Sequence, residues 1–162
     1  MRAKIWGATV GAAIALTAGV PTAASAQPTP GPENFTVLVA GNGPQLFIAQ
    51  GTIKAIGTAV PLRSGGNGGG TDRVQLPGGT FKLTLQNSSG GGGRPKPPMC
   101  IAAFHAAGNS TISDGAGRFA GTAGSGAFTS QGVFFATRTA QGCSQQGTVI
   151  DIVQDHGTVT LG

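Results

Sequence analysis

Apolar and polar residues alternate along short runs separated by glycine. In TFKLTL (80–85), Phe81, Leu83 and Leu85 share one face, and Lys82 and Thr84 the other. Period-two alternation bounded by turn residues marks a half-buried β-strand. Similar β-prone runs are FTVLVA (35–40), LFIAQGTIKAIGTAV (46–60), DRVQL (72–76), CIAAFHAA (100–107) and NSTIS (109–113). RFAGTA (118–123), GAFTS (126–130), VFFATRT (133–139), GTVIDIV (147–153) and GTVTL (157–161) complete the series. No window carries a capped apolar stripe at the helical period of about 3.6 residues. The pattern predicts an all-β chain of about eight to ten strands, as in a sandwich or a barrel. Glycines inside strands, such as Gly51 and Gly57 in the 46–60 run, favour the barrel, because a sheet that closes must bend tightly and glycine relieves the crowding there.

Two low-complexity stretches, SGGNGGG (64–70) and SSGGGGRPKPP (88–98), read as exposed flexible loops between strands. Asp114-Gly115 is a turn dipeptide, and Gln154–Gly157 (QDHG) reads as a second turn with His156 facing water.

The N-terminus follows a different pattern. Arg2 and Lys4 precede an uncharged run from Ile5 to Val20, then Pro21 and the small-x-small sequence Ala24-Ser25-Ala26. This is the three-part layout of a secretory signal peptide (1–26), cleaved at Ala26/Gln27, which makes the protein secreted. The apolar run is short, and too rich in alanine and glycine, for a span of about 20 residues. Residues 27–33, Pro-rich and ending in Glu33, read as a flexible N-terminus, and 34–162 as one domain. No second apolar span follows, so no membrane span is expected. Past residue 26 the chain has eight Lys/Arg against five Asp/Glu, scattered without basic clusters or aromatic platforms. That distribution argues against a nucleic-acid partner.

In an exported chain, the pair Cys100 and Cys143 reads as a disulfide. Neither a CxxC spacing nor a nearby histidine supports zinc, and no metal or cofactor site is expected. Three residues are candidates for chemistry. His105 lies opposite Cys100 and Phe104 on its strand, either as a proton shuttle or as a solvated histidine. Asp151 shares a face with Val149 and Val153, either as an acid or base with a raised pKa or as an outward polar residue. Arg118, with Arg138, is read on a strand, pairing with Asp151 or Asp114, holding an anionic head group, or solvated.

The stretch GAGRFAGTAGSGAF (115–128) lacks the glycine spacing of a dinucleotide fingerprint and the Lys-Ser/Thr of a phosphate loop. Read as sheet, it is a strand leaving the Asp114-Gly115 turn and bending at Gly124–Gly126. It resembles the signature of the allene oxide cyclase barrel superfamily, which includes the dirigent proteins, with Gly117–Gly121 (GRFAG) its most specific part. It is also similar to small exported actinobacterial proteins of that barrel type. The resemblance implies a single eight-stranded antiparallel β-barrel, no cofactor, and an apolar cavity for a small hydrophobic molecule. Three functions follow as expectations: a secreted barrel that binds a small hydrophobic ligand, a cofactor-free cyclase or isomerase of the same class, or a structural cell-surface protein whose barrel is filled by its own side chains.

Overall fold

A computed structural model describes residues 28–64 and 69–162. The expected signal peptide and residues 65–68 of the first glycine-rich loop lie outside the described residues. The chain forms one closed barrel of eight antiparallel strands, each paired with its sequence neighbours, and β8 returns to β1. The strands are β1 (Gly31–Ala40), β2 (Gln45–Gly51), β3 (Lys54–Ser64), β4 (Gly70–Leu76), β5 (Gly79–Gly92), β6 (Ile101–Gly117), β7 (Ala123–Thr139) and β8 (Gly142–Thr160).

Several strand boundaries differ from the sequence expectation. The 46–60 run is two strands, β2 and β3, because the chain turns at Thr52-Ile53 and pairs with itself from Gln50–Lys54 to Gln45–Ala59. In contrast, β6, β7 and β8 run straight through residues expected to end them. The QDHG segment lies inside β8, with Asp155 paired to Phe35 on one side and Phe128 on the other. Ser88–Gly92, expected in a loop, extends β5 along β6 as far as Gly92–Phe104. A strand supplied with partners on both sides keeps its backbone donors and acceptors satisfied, and this outweighs the turn preference of individual residues. Asp114-Gly115 is a bulge rather than a turn: both residues stand opposite Phe81, and Asp114 takes φ 53°.

The strand expected at Arg118–Ala123 is largely a turn, since β7 starts only at Ala123. Gly117 (φ 65°) and Gly121 (φ 76°) flank it in the left-handed region that glycine enters without penalty. The turn folds Phe119 under the barrel, where it is 1% exposed. Its ring meets Phe81 edge-on at 5.7 Å, and Phe81 joins Phe47 and Phe35 in one cluster with centroids 5.0–6.1 Å apart. Ile53, from the β2–β3 turn, is also buried. These side chains fill one half of the barrel and close that end.

Two carboxyl groups share this filled region. Glu33 is no part of a flexible N-terminus: β1 begins at Gly31, and Glu33 is 1% exposed. Its strand partners are Gly51 and Gly157, which have no side chains to crowd it. Its Oε2 accepts the Ile53 N–H at 2.6 Å, tying β1 to the closing turn, while Oε1 has no hydrogen-bond partner. Asp155 is 3% exposed, held by Ser110, and its Oδ2 has no partner. Burial pushes both carboxyls above the ordinary range; the amides around Glu33, and Ser110 and His156 beside Asp155, offset part of that rise.

The expected disulfide is present. Cys100 and Cys143 are bonded with their Cα atoms 5.4 Å apart. It links the starts of β6 and β8 past the end of β7, where Ala136 N–H donates to the Cys100 carbonyl and Arg138 pairs with Cys143.

Two outcomes are expected. Phe119→Ala destabilises the protein by about 3–5 kcal/mol in urea denaturation, the usual cost of removing a buried ring. Arg118→Ala, which removes only an exposed guanidinium 4.8 Å from that ring, costs no more than about 1 kcal/mol. Second, the folded state holds the protons of Glu33 and Asp155 more tightly than the unfolded chain does. Their contribution to stability is therefore complete below about pH 4 and is lost as pH rises through the raised values. The melting temperature should fall as pH rises above the ordinary carboxylate range, and the Glu33→Gln, Asp155→Asn double variant should flatten that profile; an unchanged slope would count against the assignment.

Candidate functional site

The other half of the barrel is open. Above the phenylalanine cluster lies a cavity of about 490 Å³ that reaches the β1–β2 turn and the β3–β4 connection. This is the size range of small-molecule sites. Phe128 and Val153, both buried, lie at its base with Val37. Val39, Leu85, Phe104 and Val149 form apolar walls. Gly132 shapes one of them: a Cβ at that position would strike the Phe104 ring, so its absence lets the ring lie against β7.

Strand heights make the mouth asymmetric. β1–β4 are 7–11 residues long and β5–β8 are 14–19. β8 pairs with β1 only as far as Ile150–Ala40, and β5 with β4 only as far as Leu85–Gly70. Beyond those points β5–β8 continue as a four-stranded wall on one side of the opening, joined by the disulfide.

Six polar side chains line the cavity, Asn42 and Gln45 beside the β1–β2 turn and four others. Asp151 on β8 lines it between Val149 and Val153, and the Ser130 hydroxyl on β7 donates to both its oxygens, at 3.0 and 2.9 Å. Asp72 enters from β4, where burial raises its pKa above the ordinary carboxylate range. Arg63, exposed, stands at the rim.

The three residues named from the sequence do not converge. Asp151 alone faces the cavity. His105 is exposed on the outer wall of β6, bordering a shallow groove with Val133, Ile150 and Ile152. Arg118 is exposed in the turn at the closed end, beside Gly78, and is not on a strand. Asp114 pairs instead with Lys82 at 2.7 Å, on the outer surface. His156, in strand rather than turn, faces outward and contacts Asn34 Oδ1 through Nδ1 at 2.6 Å.

Asp72, Ser130 and Arg63 were not singled out from the sequence. Two had a signal. Asp72 shares strand parity with buried Val74 and Leu76, and Ser130 with buried Phe128. Arg63 had none, since it lies past the predicted end of its strand and across an irregularity in the β3–β4 register.

Among the described residues, no three His, Cys, Asp or Glu side chains group as metal ligands, and no helix is long and apolar enough to cross a membrane. In comparisons with known proteins, no family model matches the chain, and neither the curated proteins nor the solved structures contain a match. Geometry alone therefore defines the site: a closed eight-stranded antiparallel barrel, filled at one end and open at the other onto an apolar cavity with carboxylates in its walls.

Proposed function

We propose that this is a secreted barrel protein that binds a small, mainly apolar molecule in its open half. The observation that carries the reading is the cavity of about 490 Å³ above a packed floor. Its walls are valine, leucine and phenylalanine, and it meets solvent at the mouth. Apolar surface left uncovered there stays hydrated, and a ligand that displaces that water gains roughly 25 cal/mol for each Å² it buries. The phenylalanine cluster fills only the closed half, so a barrel filled throughout fits the geometry less well. The likeness of residues 115–128 to the allene oxide cyclase barrels is consistent with the binding reading.

A second reading, a cofactor-free cyclase or isomerase of that type, is favoured by one observation: Ser130, Asp151 and Asp72 enter the same cavity. Positioned acid and base groups of this kind move protons on a bound intermediate.

Native mass spectrometry of protein taken from its own culture medium should show a co-purifying small molecule. Val39→Trp, a substitution at a partly buried wall position, should fill the cavity, lower affinity for an environment-sensitive apolar dye at least tenfold and move the melting temperature by only a few degrees. Natively folded protein that carries nothing and takes up no member of a broad hydrophobic panel would refute the binding function.

A further inference from the structure

The chain has five acidic residues, and four of them face the barrel interior. Glu33 and Asp155 are buried in the filled half. Asp72 and Asp151 line the open half from β4 and β8, which stand across the ring from each other. Basic residues sort the other way. Of the eight Lys and Arg among the described residues, Arg63 alone lines the cavity, at its rim. The only ion pair among the described residues, Lys82–Asp114, lies on the outer surface. Among the described residues no cation is bonded to Asp72 or Asp151, and the hydrogen-bond partner of Asp151 there is a neutral hydroxyl.

A carboxylate set against apolar walls is costly to hold without an opposite charge. Two such groups on opposing walls of one cavity, above a third buried carboxyl one inward step below Val153 on β8, give the cavity a negative field. A neutral ligand would cover the carboxylates and leave them uncompensated. An acidic ligand would add like charge.

On the reading that this cavity binds an apolar molecule, we infer that its ligand is an amphipathic cation: an apolar body against Val37, Val39, Phe104 and Phe128, and a protonated amine between Asp72 and Asp151. The ammonium is the matching partner, because its N–H groups only donate and ionised carboxylates only accept. Ser130 uses part of the accepting capacity of Asp151 and fixes its orientation, leaving lone pairs for the ligand. Charge-assisted bonds of this kind are about twice as strong as neutral ones.

Three probes with one body separate the possibilities: 4-phenylbutylamine, 4-phenylbutanol and 4-phenylbutyrate, titrated calorimetrically into the intact protein near neutral pH. The amine is expected to bind at least about tenfold tighter than the alcohol, with the carboxylate weakest. In the Asp72→Asn, Asp151→Asn double variant the amine's advantage over the alcohol should fall to within about twofold. The wild-type ranking needs no variant to fold. Equal affinity for amine and alcohol overturns the cationic ligand and leaves the apolar-ligand reading intact. Strongest binding of the carboxylate also overturns it, and assigns head-group choice to Arg63. If natively folded protein binds none of the three at millimolar concentration, the cationic ligand is overturned, and the apolar-ligand reading falls with it only if the broad hydrophobic panel is also refused and no small molecule co-purifies.

Discussion

The hydrogen-bonded ladder between β1 and β8, from Gly31–Val159 to Ala40–Ile150, makes every other feature possible. An open sheet of these strands would leave two edges of unpaired N–H and C=O groups. Joining them removes both edges and divides the side chains into an inner and an outer set. Glu33 belongs to that seam. Flanked by Gly51 and Gly157 in the neighbouring strands, its carboxyl turns inward and takes up the Ile53 amide of the turn that helps to close the barrel. A polar group thus helps to seal an apolar end, and its burial raises its pKa.

Closure also fixes how the interior is shared between packing and cavity. Phe35, Phe47 and Phe81 come from three strands, and Phe119 reaches them from a turn. Together they occupy the closed half. Toward the other end the inward positions pass to valine, to the small residue Ser130 and to aspartate, and these leave space. The extra length of β5–β8 raises one side of the mouth, and the disulfide joins two of those tall strands where closure with β1 and β4 no longer constrains them.

The outer wall carries the complementary anomaly. Ile56, Ile150 and Ile152 are 62%, 51% and 48% exposed, whereas Asp155 is 3% exposed. Over part of β8 the usual assignment of apolar residues to the inside is reversed: isoleucines alternate outward with aspartate inward. Strand geometry enforces this, because side chains two residues apart share a face whatever their polarity. With Val149, Val153 and Val159 directed inward, Asp151 and Asp155 follow.

Much of this was legible in the chain. Alternation and the absence of a helical stripe determined an all-β fold, glycine within the strands pointed to a barrel, and the cysteine pair to its disulfide. Parity placed Asp151 with Val149 and Val153 and set His105 opposite Cys100 and Phe104, because period two is a local property of extended backbone. Strand ends were not legible in this way. Turn-forming residues such as Asp155 and Ser88–Gly92 are strand in the barrel because neighbouring strands supply their hydrogen bonds, and those neighbours are remote in sequence. Which face turns inward was equally hidden in GTVIDIV, where both faces carry apolar side chains. That choice, and with it the meeting of Asp72, Ser130, Asp151 and Arg63 at one mouth, was made only when β8 paired with β1, across more than a hundred residues of chain.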